Sequence, residues 1–412
     1  MKYGLIAERV GHSFSAEIHN KLFGYEYELK AIAKDELHRF LTERDFLAIN
    51  VTIPYKEAVI PYLDHIDETA AAIGAVNTVV NKNGKLFGYN TDLSGLCALI
   101  NRANVEIKGK KVLVLGSGGT SKTAFYAANM LKANEVYRVS RTGKDGCITY
   151  EEAIARHSDA DVIINTTPSG MFPNIGASAV DINSFPKLSG VIDAVYNPLR
   201  PKLVCDALSR GIKASGGLYM LVAQAAFAAE RFVEKSVPEE RINEIYNEIY
   251  SSKQNIVLVG MPGCGKSTVG KLLSEKLGFE FLDTDDVITE KHKKTPAELI
   301  TELGEQAFRD IESSIIKEIS ATQSKIISTG GGAILRPENI ALLKENGRVY
   351  FIDRPLDELV PTSNRPLSSN REALEKRFNE RYNIYCSCCD YRVAAAGTAE
   401  KNANLIIKEL YQ

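Results

Sequence analysis

Asn255–Thr268, NIVLVGMPGCGKST, limits this chain more than any other stretch. The apolar run Ile256–Val259 has the look of a buried parallel strand. It leads straight into Gly260-x-x-x-x-Gly265-Lys266-Ser267, and Val269–Leu277 reads as a helix with Leu272, Leu273 and Leu277 on one face. Strand, glycine-rich loop and helix in that order form a phosphate-binding P-loop. The amides of Gly263, Cys264, Gly265 and Thr268 can wrap a nucleotide's phosphates, Lys266 can reach the outer ones, and the Ser267 hydroxyl can ligate Mg²⁺. A nucleotide site of this kind belongs to a parallel α/β fold. It starts at residue 255 of 412, which leaves room for a whole protein ahead of it.

At roughly 100–200 residues per domain the length implies two to four domains. A net charge of −2 gives no basic field for nucleic acid. The apolar runs fall far short of the roughly 20 residues of a membrane span. The N-terminus, MKYGLIAERVGHS, lacks a signal peptide's apolar core. Seven scattered cysteines suit a reducing compartment, so the chain reads as cytoplasmic. Cys386, Cys388 and Cys389 cluster without a second ligand pair at zinc spacing and read as free thiols.

Residues 1–100 have an α/β rhythm interrupted by three polar clusters. These are Gly11–Ser15 with His19-Asn20, Asn50–Glu57, and Gly74–Thr78 with Gly88–Asp92. Their hydroxyls and amides could hold a polyhydroxylated, anionic small molecule, and Lys56 with Asp92 could run proton transfer. Each cluster alone is equally compatible with turn and cap chemistry. Lys110–Leu115 is the next strand, running into Gly116-Ser117-Gly118-Gly119-Thr120-Ser121 and a helix from about Lys122. That is a dinucleotide-type turn. After the strand Glu135–Val139 come Ser140, Arg141 and Lys144. A cation there favours the 2′-phosphate of NADP over the free hydroxyl of NAD; otherwise Arg141 is a solvated strand-end arginine. Asp161–Asn165 and Gly190–Val195 continue a parallel sheet, and an alanine-rich helix carries Gln224.

In the last part, Phe279–Asp285 is read as a strand ending in Asp283 and Asp285, two carboxylates on one face. One can serve Mg²⁺ and the other an acceptor hydroxyl. Arg309 could clamp a carboxylate bidentately, or form an ordinary helical ion pair with Glu305 or Glu312. Gly330-Gly331-Gly332 lets a ligand approach the backbone, Arg348–Asp353 is the last clear strand, and Pro361–Asn370 has the composition of a lid carrying Arg365 or of a plain surface loop.

Taken together, HSFS…HN, NVTIPYKE, GAVNT, GYNTD, GSGGTS, SRT, NTTPSGM, DAVYNP and GLYMLVAQAA make residues 1–250 resemble shikimate dehydrogenase. GMPGCGKST, FLDTD, GEQAFRDIE, STGGGA, RPL and Arg381-x-x-x-Tyr385 make residues 255–412 resemble shikimate kinase. The resemblance implies a substrate lobe (1–100), a Rossmann-like NADP lobe (101–234), a terminal helix (235–250), a linker (251–254) and a P-loop kinase domain with a parallel sheet (255–412). It implies a bifunctional enzyme that reduces 3-dehydroshikimate with NADPH and phosphorylates shikimate with MgATP, with a homodimer as one compatible assembly.

Carried over by motif, Ser13 and Ser15 bind the substrate carboxylate, Thr52, Asn77 and Gln224 its hydroxyls, and Lys56 and Asp92 form the catalytic pair. Gly116, Gly118, Gly119, Thr120, Ser140, Arg141 and Lys144 serve NADP. In the second part Lys266 and Arg365 stabilise the moving phosphoryl group, Ser267 and Asp283 serve Mg²⁺, and Asp285 orients the hydroxyl. Arg309 and Arg381 grip the carboxylate, and Gly331 and Gly332 line the ring. Departures from the dehydrogenase pattern stand at Glu8–Gly11, Ala16 and Ser140. Two competing readings are a degenerate binding module in one half, or a dehydrogenase that also accepts quinate. The complete Lys56/Asp92 and Lys266/Asp285 sets argue against the first.

Overall fold

The computed structural model describes all residues except 12, 360–370, 395–396 and 412, so the expectation for Arg365 lies outside the described residues. The chain divides into two compact units. One comprises Met1–Met171, Ala177–Asn197 and Asp206–Ile249; the other comprises Phe172–Gly176, Pro198–Cys205 and Tyr250–Gln412.

The first unit holds two sheets. Strands β1 (Tyr3–Ala7), β2 (Glu28–Ala31), β3 (Ala48–Val51), β4 (His65–Ile66), β5 (Thr78–Lys82) and β6 (Lys85–Tyr89) are ordered β2-β1-β3-β5-β6-β4. The β3–β5 and β5–β6 pairs are antiparallel, so this sheet is mixed. The second sheet uses β7 (Lys111–Leu115), β8 (Glu135–Val139), β9 (Val162–Asn165), β10 (Gly190–Asp193) and β11 (Lys213–Ser215), in the order β11-β10-β9-β7-β8. All its pairs are parallel, and its central strands are apolar on both faces, as a sheet covered by helices on both sides requires.

A helix from far along the chain completes the first sheet's packing. Ala228 and Phe232, on the helix Leu218–Val233, pack with Leu5, Tyr27, Ala48 and Val80 in one buried cluster. Gly95, on the helix Thr91–Arg102, lets that helix approach: a Cβ there would stand 2.8 Å from both the Gln224 Cβ and the Met220 carbonyl oxygen. The lobe read as residues 1–100 therefore borrows a wall from residues 218–233.

The second unit has one parallel sheet. Its strands β12 (Asn255–Val259), β13 (Glu280–Asp283), β14 (Lys325–Ser328), β15 (Gly347–Asp353) and β16 (Tyr391–Ala394) are ordered β13-β14-β12-β15-β16. β16 lies beyond the strand taken from sequence as the last clear one. It is short and only Val393 in it is buried, and the alternation Tyr-Arg-Val-Ala carries little signal without its partner. The helix Glu239–Lys253 includes Ser251–Lys253, three of the four residues expected to form a linker, and Gln254 is buried. Among the described residues no helix is long and apolar enough to cross a membrane.

Candidate active sites

In both parallel sheets the glycine-rich turn follows the strand where the order reverses. β7 lies between β9 and β8, and β12 between β14 and β15. That crevice, outside the carboxyl ends of the strands, is where open α/β sheets bind ligands.

In the first unit, β3 ends in the turn Thr52–Tyr55, closed by a Tyr55 N–H to Thr52 carbonyl bond of 2.8 Å. The Ile53–Pro54 peptide is cis. Tyr55 is buried and donates its hydroxyl to the Ile32 carbonyl, which anchors the turn. Lys56 follows, with its Nζ 2.5 Å from Asp92 Oδ2 and 3.5 Å from Thr120 Oγ1. Asp92 sits in the first turn of the helix Thr91–Arg102, capped by Asn90. Asn77 donates to Thr91 Oγ1 at 3.0 Å and to Gln224 Oε1 at 3.4 Å, while its own oxygen accepts from the Thr91 N–H at 2.7 Å. Lys56, Asp92 and Thr120 thus form one bonded group, and Asn77, Thr91 and Gln224 another, joined through neighbours 91 and 92. Ser13 and Ser15 bond to each other at 3.0 Å, and Phe14 between them packs on the Tyr196 ring at 5.4 Å.

The dinucleotide-type turn lies against this cluster. Gly116 has φ 123° and packs on Thr166, where a Cβ would come within 2.5 Å of Oγ1. Ser121 Oγ donates to the Gly116 carbonyl at 2.6 Å. The helix starts at Gly119 rather than Lys122, and a Cβ on Gly119 would touch the Lys56 stem at 3.6 Å. Gly118 faces open space. Ser140 is buried and accepts the Gly143 N–H, while Arg141 and Lys144 are exposed.

Two titratable groups inside the quoted motifs, His19 of HSFS…HN and Asp193 of DAVYNP, are buried, which the sequence does not show because their partners are distant in the chain. His19 stacks on Tyr27 at 3.9 Å and bonds to the Tyr25 hydroxyl at 2.5 Å. Burial pushes its pKa down from 6.5 to about 3. Asp193 accepts from Asn165 Nδ2 and from the Val195 N–H, both at 2.9 Å, and burial pushes it up from 3.8 to about 7. Between pH 3 and 6.5 the unfolded chain binds a proton at His19 that the folded chain does not, so this group stabilises less as pH falls. Between pH 3.8 and 7 the folded chain keeps a proton on Asp193 that the unfolded chain releases, so this group stabilises less as pH rises. Each slope reaches at most about 1.4 kcal/mol per pH unit, and they oppose where they overlap. Asp193→Asn should expose the His19 slope alone. Calorimetric scans from pH 4 to 7.5 should show one melting transition falling more steeply with acid than in the parent; parallel pH profiles would refute this.

In the second unit, Lys266 is buried and its Nζ donates to the carbonyls of Gly260 (2.9 Å) and Met261 (3.2 Å). Gly265, at φ 98°, precedes the helix Lys266–Leu277. Ser267 Oγ donates to Asp283 Oδ2 at 2.8 Å, and Asp283 Oδ1 accepts the Asp285 N–H at 3.1 Å. This corrects the expectation that Asp283 and Asp285 share a strand face. β13 stops at Asp283, which caps the helix Thr284–His292, and Asp285 lies in that helix's first turn. Even so, Asp285 stays in the site: a Cβ on Gly330 would stand 3.0 Å from Asp285 Oδ1 and 2.8 Å from Glu312 Oε1.

Arg309 makes both of its candidate helical pairs at once, with Glu312 at 2.7 Å and Glu305 at 3.1 Å. It also abuts the glycine turn, where a Cβ on Gly332 would fall 2.3 Å from its guanidinium. Glu312 is 1 % exposed. Burial raises its pKa and outweighs the lowering by Arg309, while Asp285 adds a further raising effect. Arg381 is buried and donates to the Gly331 carbonyl at 2.9 Å. Glu312 and Tyr385 lie inside motifs that were recognised, yet their roles depend on burial that no spacing reveals. All seven cysteines are free thiols, and Cys264 is buried in the phosphate loop.

A Lys–Asp proton pair set against a dinucleotide turn, and a P-loop facing carboxylates and arginines, define an oxidoreductase joined to a phosphotransferase. Residues 5–79 match the shikimate dehydrogenase substrate binding domain, and residues 262–411 match shikimate kinase. The chain is 37% identical to a shikimate dehydrogenase (NADP(+)) of Clostridium perfringens, over 60% of this chain and 97% of that protein. Among solved structures it is similar to a chorismate mutase/shikimate 5-dehydrogenase fusion protein from Clostridium acetobutylicum (37% identity, TM-score 0.56, 60% of this chain and 96% of that one). It is also similar to a shikimate 5-dehydrogenase from Thermus thermophilus in complex with NADP(H) and shikimate (28% identity, TM-score 0.55, 60% and 99%). The chain belongs to the shikimate dehydrogenase family and carries a shikimate kinase domain after it. It is a bifunctional enzyme of the shikimate pathway.

Proposed function

We propose that the first unit reduces 3-dehydroshikimate to shikimate with NADPH, and that the second phosphorylates the shikimate 3-hydroxyl with MgATP. The observation that carries this reading is the Lys56–Asp92 pair at 2.5 Å, set against the glycine turn through Thr120 and Gly119. NADPH, when bound, supplies the hydride. The residues fit it: open space at Gly118, a helix N-terminus at Gly119 and exposed cations at Arg141 and Lys144 suit a dinucleotide with a 2′-phosphate. Thr120 and Ser140 complete that set. Lys56 is the group that gives a proton to the carbonyl oxygen being reduced, with Asp92 holding its ammonium in place. Ser13 and Ser15 hold the substrate carboxylate, and Thr52, Asn77 and Gln224 its hydroxyls.

For the second reaction, the oxygen set Ser267 and Asp283 suits Mg²⁺, and the amides of Gly263, Cys264, Gly265 and Thr268 suit the phosphates. ATP, when bound, supplies the phosphoryl group. Lys266 and Arg365 neutralise charge on it, and Asp285 orients the acceptor hydroxyl and takes its proton. Arg309 and Arg381 bind the acceptor carboxylate beside Gly331 and Gly332. We place both reactions in the cytoplasm.

The decisive assay supplies 3-dehydroshikimate, NADPH and MgATP together. One NADPH oxidised and one ADP released per substrate is the expected result, with NADH, quinate and gluconate as poor replacements. NADPH oxidation without ADP release would overturn the second half. Gly332→Ala should raise KM for shikimate in the kinase reaction about tenfold or more, because the new methyl displaces a guanidinium that two glutamates hold fixed. Gly332 has φ −105°, which alanine adopts freely, so any fall in melting temperature should report the disturbed Arg309–Glu312 pair rather than backbone strain.

A further inference from the structure

The phosphate loop and the acceptor-side glycine turn of the kinase unit touch each other directly. A Cβ on Gly331 would stand 3.0 Å from Pro262 Cδ and 3.1 Å from its Cγ. Between them stands one hydroxyl. Tyr385, fully buried on the helix Arg371–Cys388, has its oxygen 2.6 Å from the Gly331 carbonyl and 3.0 Å from the Gly260 carbonyl. A phenol has one proton and a carbonyl has none, so Tyr385 can satisfy only one of the two at a time. Each carbonyl also has a second donor: Lys266 Nζ for Gly260, and Arg381 for Gly331. The ring cannot drift from this position, since it stacks on Phe351 of the neighbouring β15 at 5.0 Å and 13°. Burial raises the phenol's pKa, so the proton stays on the oxygen at neutral pH.

We infer that Tyr385 is a positioning residue that couples the nucleotide and acceptor sites by shifting its single proton between the Gly260 and Gly331 carbonyls. When phosphates draw Lys266 away, the Gly260 carbonyl loses one donor and the Tyr385 proton turns to it. Arg381 is then the remaining donor to the Gly331 carbonyl, which pins its guanidinium. Its Nε is buried and has no hydrogen-bond partner among the described residues, so it stays available to an anionic acceptor. Nucleotide binding therefore preorganises the arginine for the acceptor's carboxylate. By linkage, the acceptor must tighten nucleotide binding by the same factor.

The inference rests on the kinase reading above, and the test separates the two. MgADP is titrated calorimetrically into the full chain, with and without saturating shikimate. Shikimate should tighten MgADP binding about fivefold or more. In Tyr385→Phe, where Lys266 and Arg381 still satisfy both carbonyls, the factor should fall to within twofold of one. MgADP affinity measured alone should stay within about threefold of the parent's. If the parent shows no shikimate-dependent ADP release, the kinase reading fails and takes the inference with it. If the parent phosphorylates shikimate but Tyr385→Phe keeps the full coupling factor, the inference alone fails. Should Tyr385→Phe melt well below the parent, Phe351→Leu, which frees the ring but keeps the hydroxyl, is titrated instead. A reduced factor there supports the device, and an unchanged one refutes it.

Discussion

Lys56→Ala should lower the rate of NADPH-dependent 3-dehydroshikimate reduction by about 10²–10⁴-fold, the usual share of general acid–base catalysis. The geometry explains why no neighbour can substitute. Asp92 is the group nearest the ammonium, and its carboxylate orients the proton donor rather than replacing it. The variant also leaves the Asp92 carboxylate buried without its cation, and breaking a buried pair of this sort costs about 3–5 kcal/mol when the burial is complete. Both side chains keep slight exposure, 13% and 9%, so the loss should fall below that range. Pairing Lys56→Ala with Asp92→Asn removes the stranded charge. If melting recovers while reduction stays slow, the loss is chemical rather than structural. ADP release from added shikimate should match the parent in both variants.

Lys266→Ala should have the mirror effect. Preorganised charge at a developing transition state is worth about 10²–10³-fold in rate per donor. Lys266 is well placed to supply it, since its ammonium is already inside the loop, held by the Gly260 and Met261 carbonyls. Its loss leaves the Gly260 carbonyl with Tyr385 as a donor, so the loop should persist while phosphoryl transfer fails. Shikimate-dependent ADP release should drop at least a hundredfold, and NADPH oxidation should be unaffected. Loss of both activities from either single variant would sink the picture of two independent sites.

Much of this is legible in the amino-acid sequence alone. Glycine–lysine spacing places a phosphate loop because few other backbones need that pattern, and strand–turn–helix order locates both turns. What stayed hidden depended on partners far apart in sequence. Asn165 and Asp193 become a bonded pair once β9 and β10 lie in register, and His19 becomes a buried, neutral ring against Tyr27 after the substrate lobe closes. Spacing offered Glu305 and Glu312 as alternatives for Arg309, whereas the helix presents both to its forked guanidinium. Asp-x-Asp fits a strand face as well as a cap followed by a first turn, so its spacing alone does not assign Asp285 to the helix. β16, a four-residue edge strand, has too short a pattern to stand out in the sequence.

The helix Leu218–Val233 has a consequence for the order in which the protein is made. Leu5, Tyr27 and Val80 leave the ribosome early, yet the side chains that cover them, Ala228 and Phe232, follow about 150–225 residues later, and Gln224, the hydrogen-bond partner of Asn77, about 150 residues after it. Until then the nascent first lobe carries an uncovered apolar face, a state prone to misassociation. A product truncated near residue 100 should aggregate, whereas one ending after residue 253 has every strand and helix of its first two sheets. The phosphate loop at Gly260–Ser267 is translated after the helix Leu218–Val233, so the cover for the first sheet is made before the strand that leads into that loop.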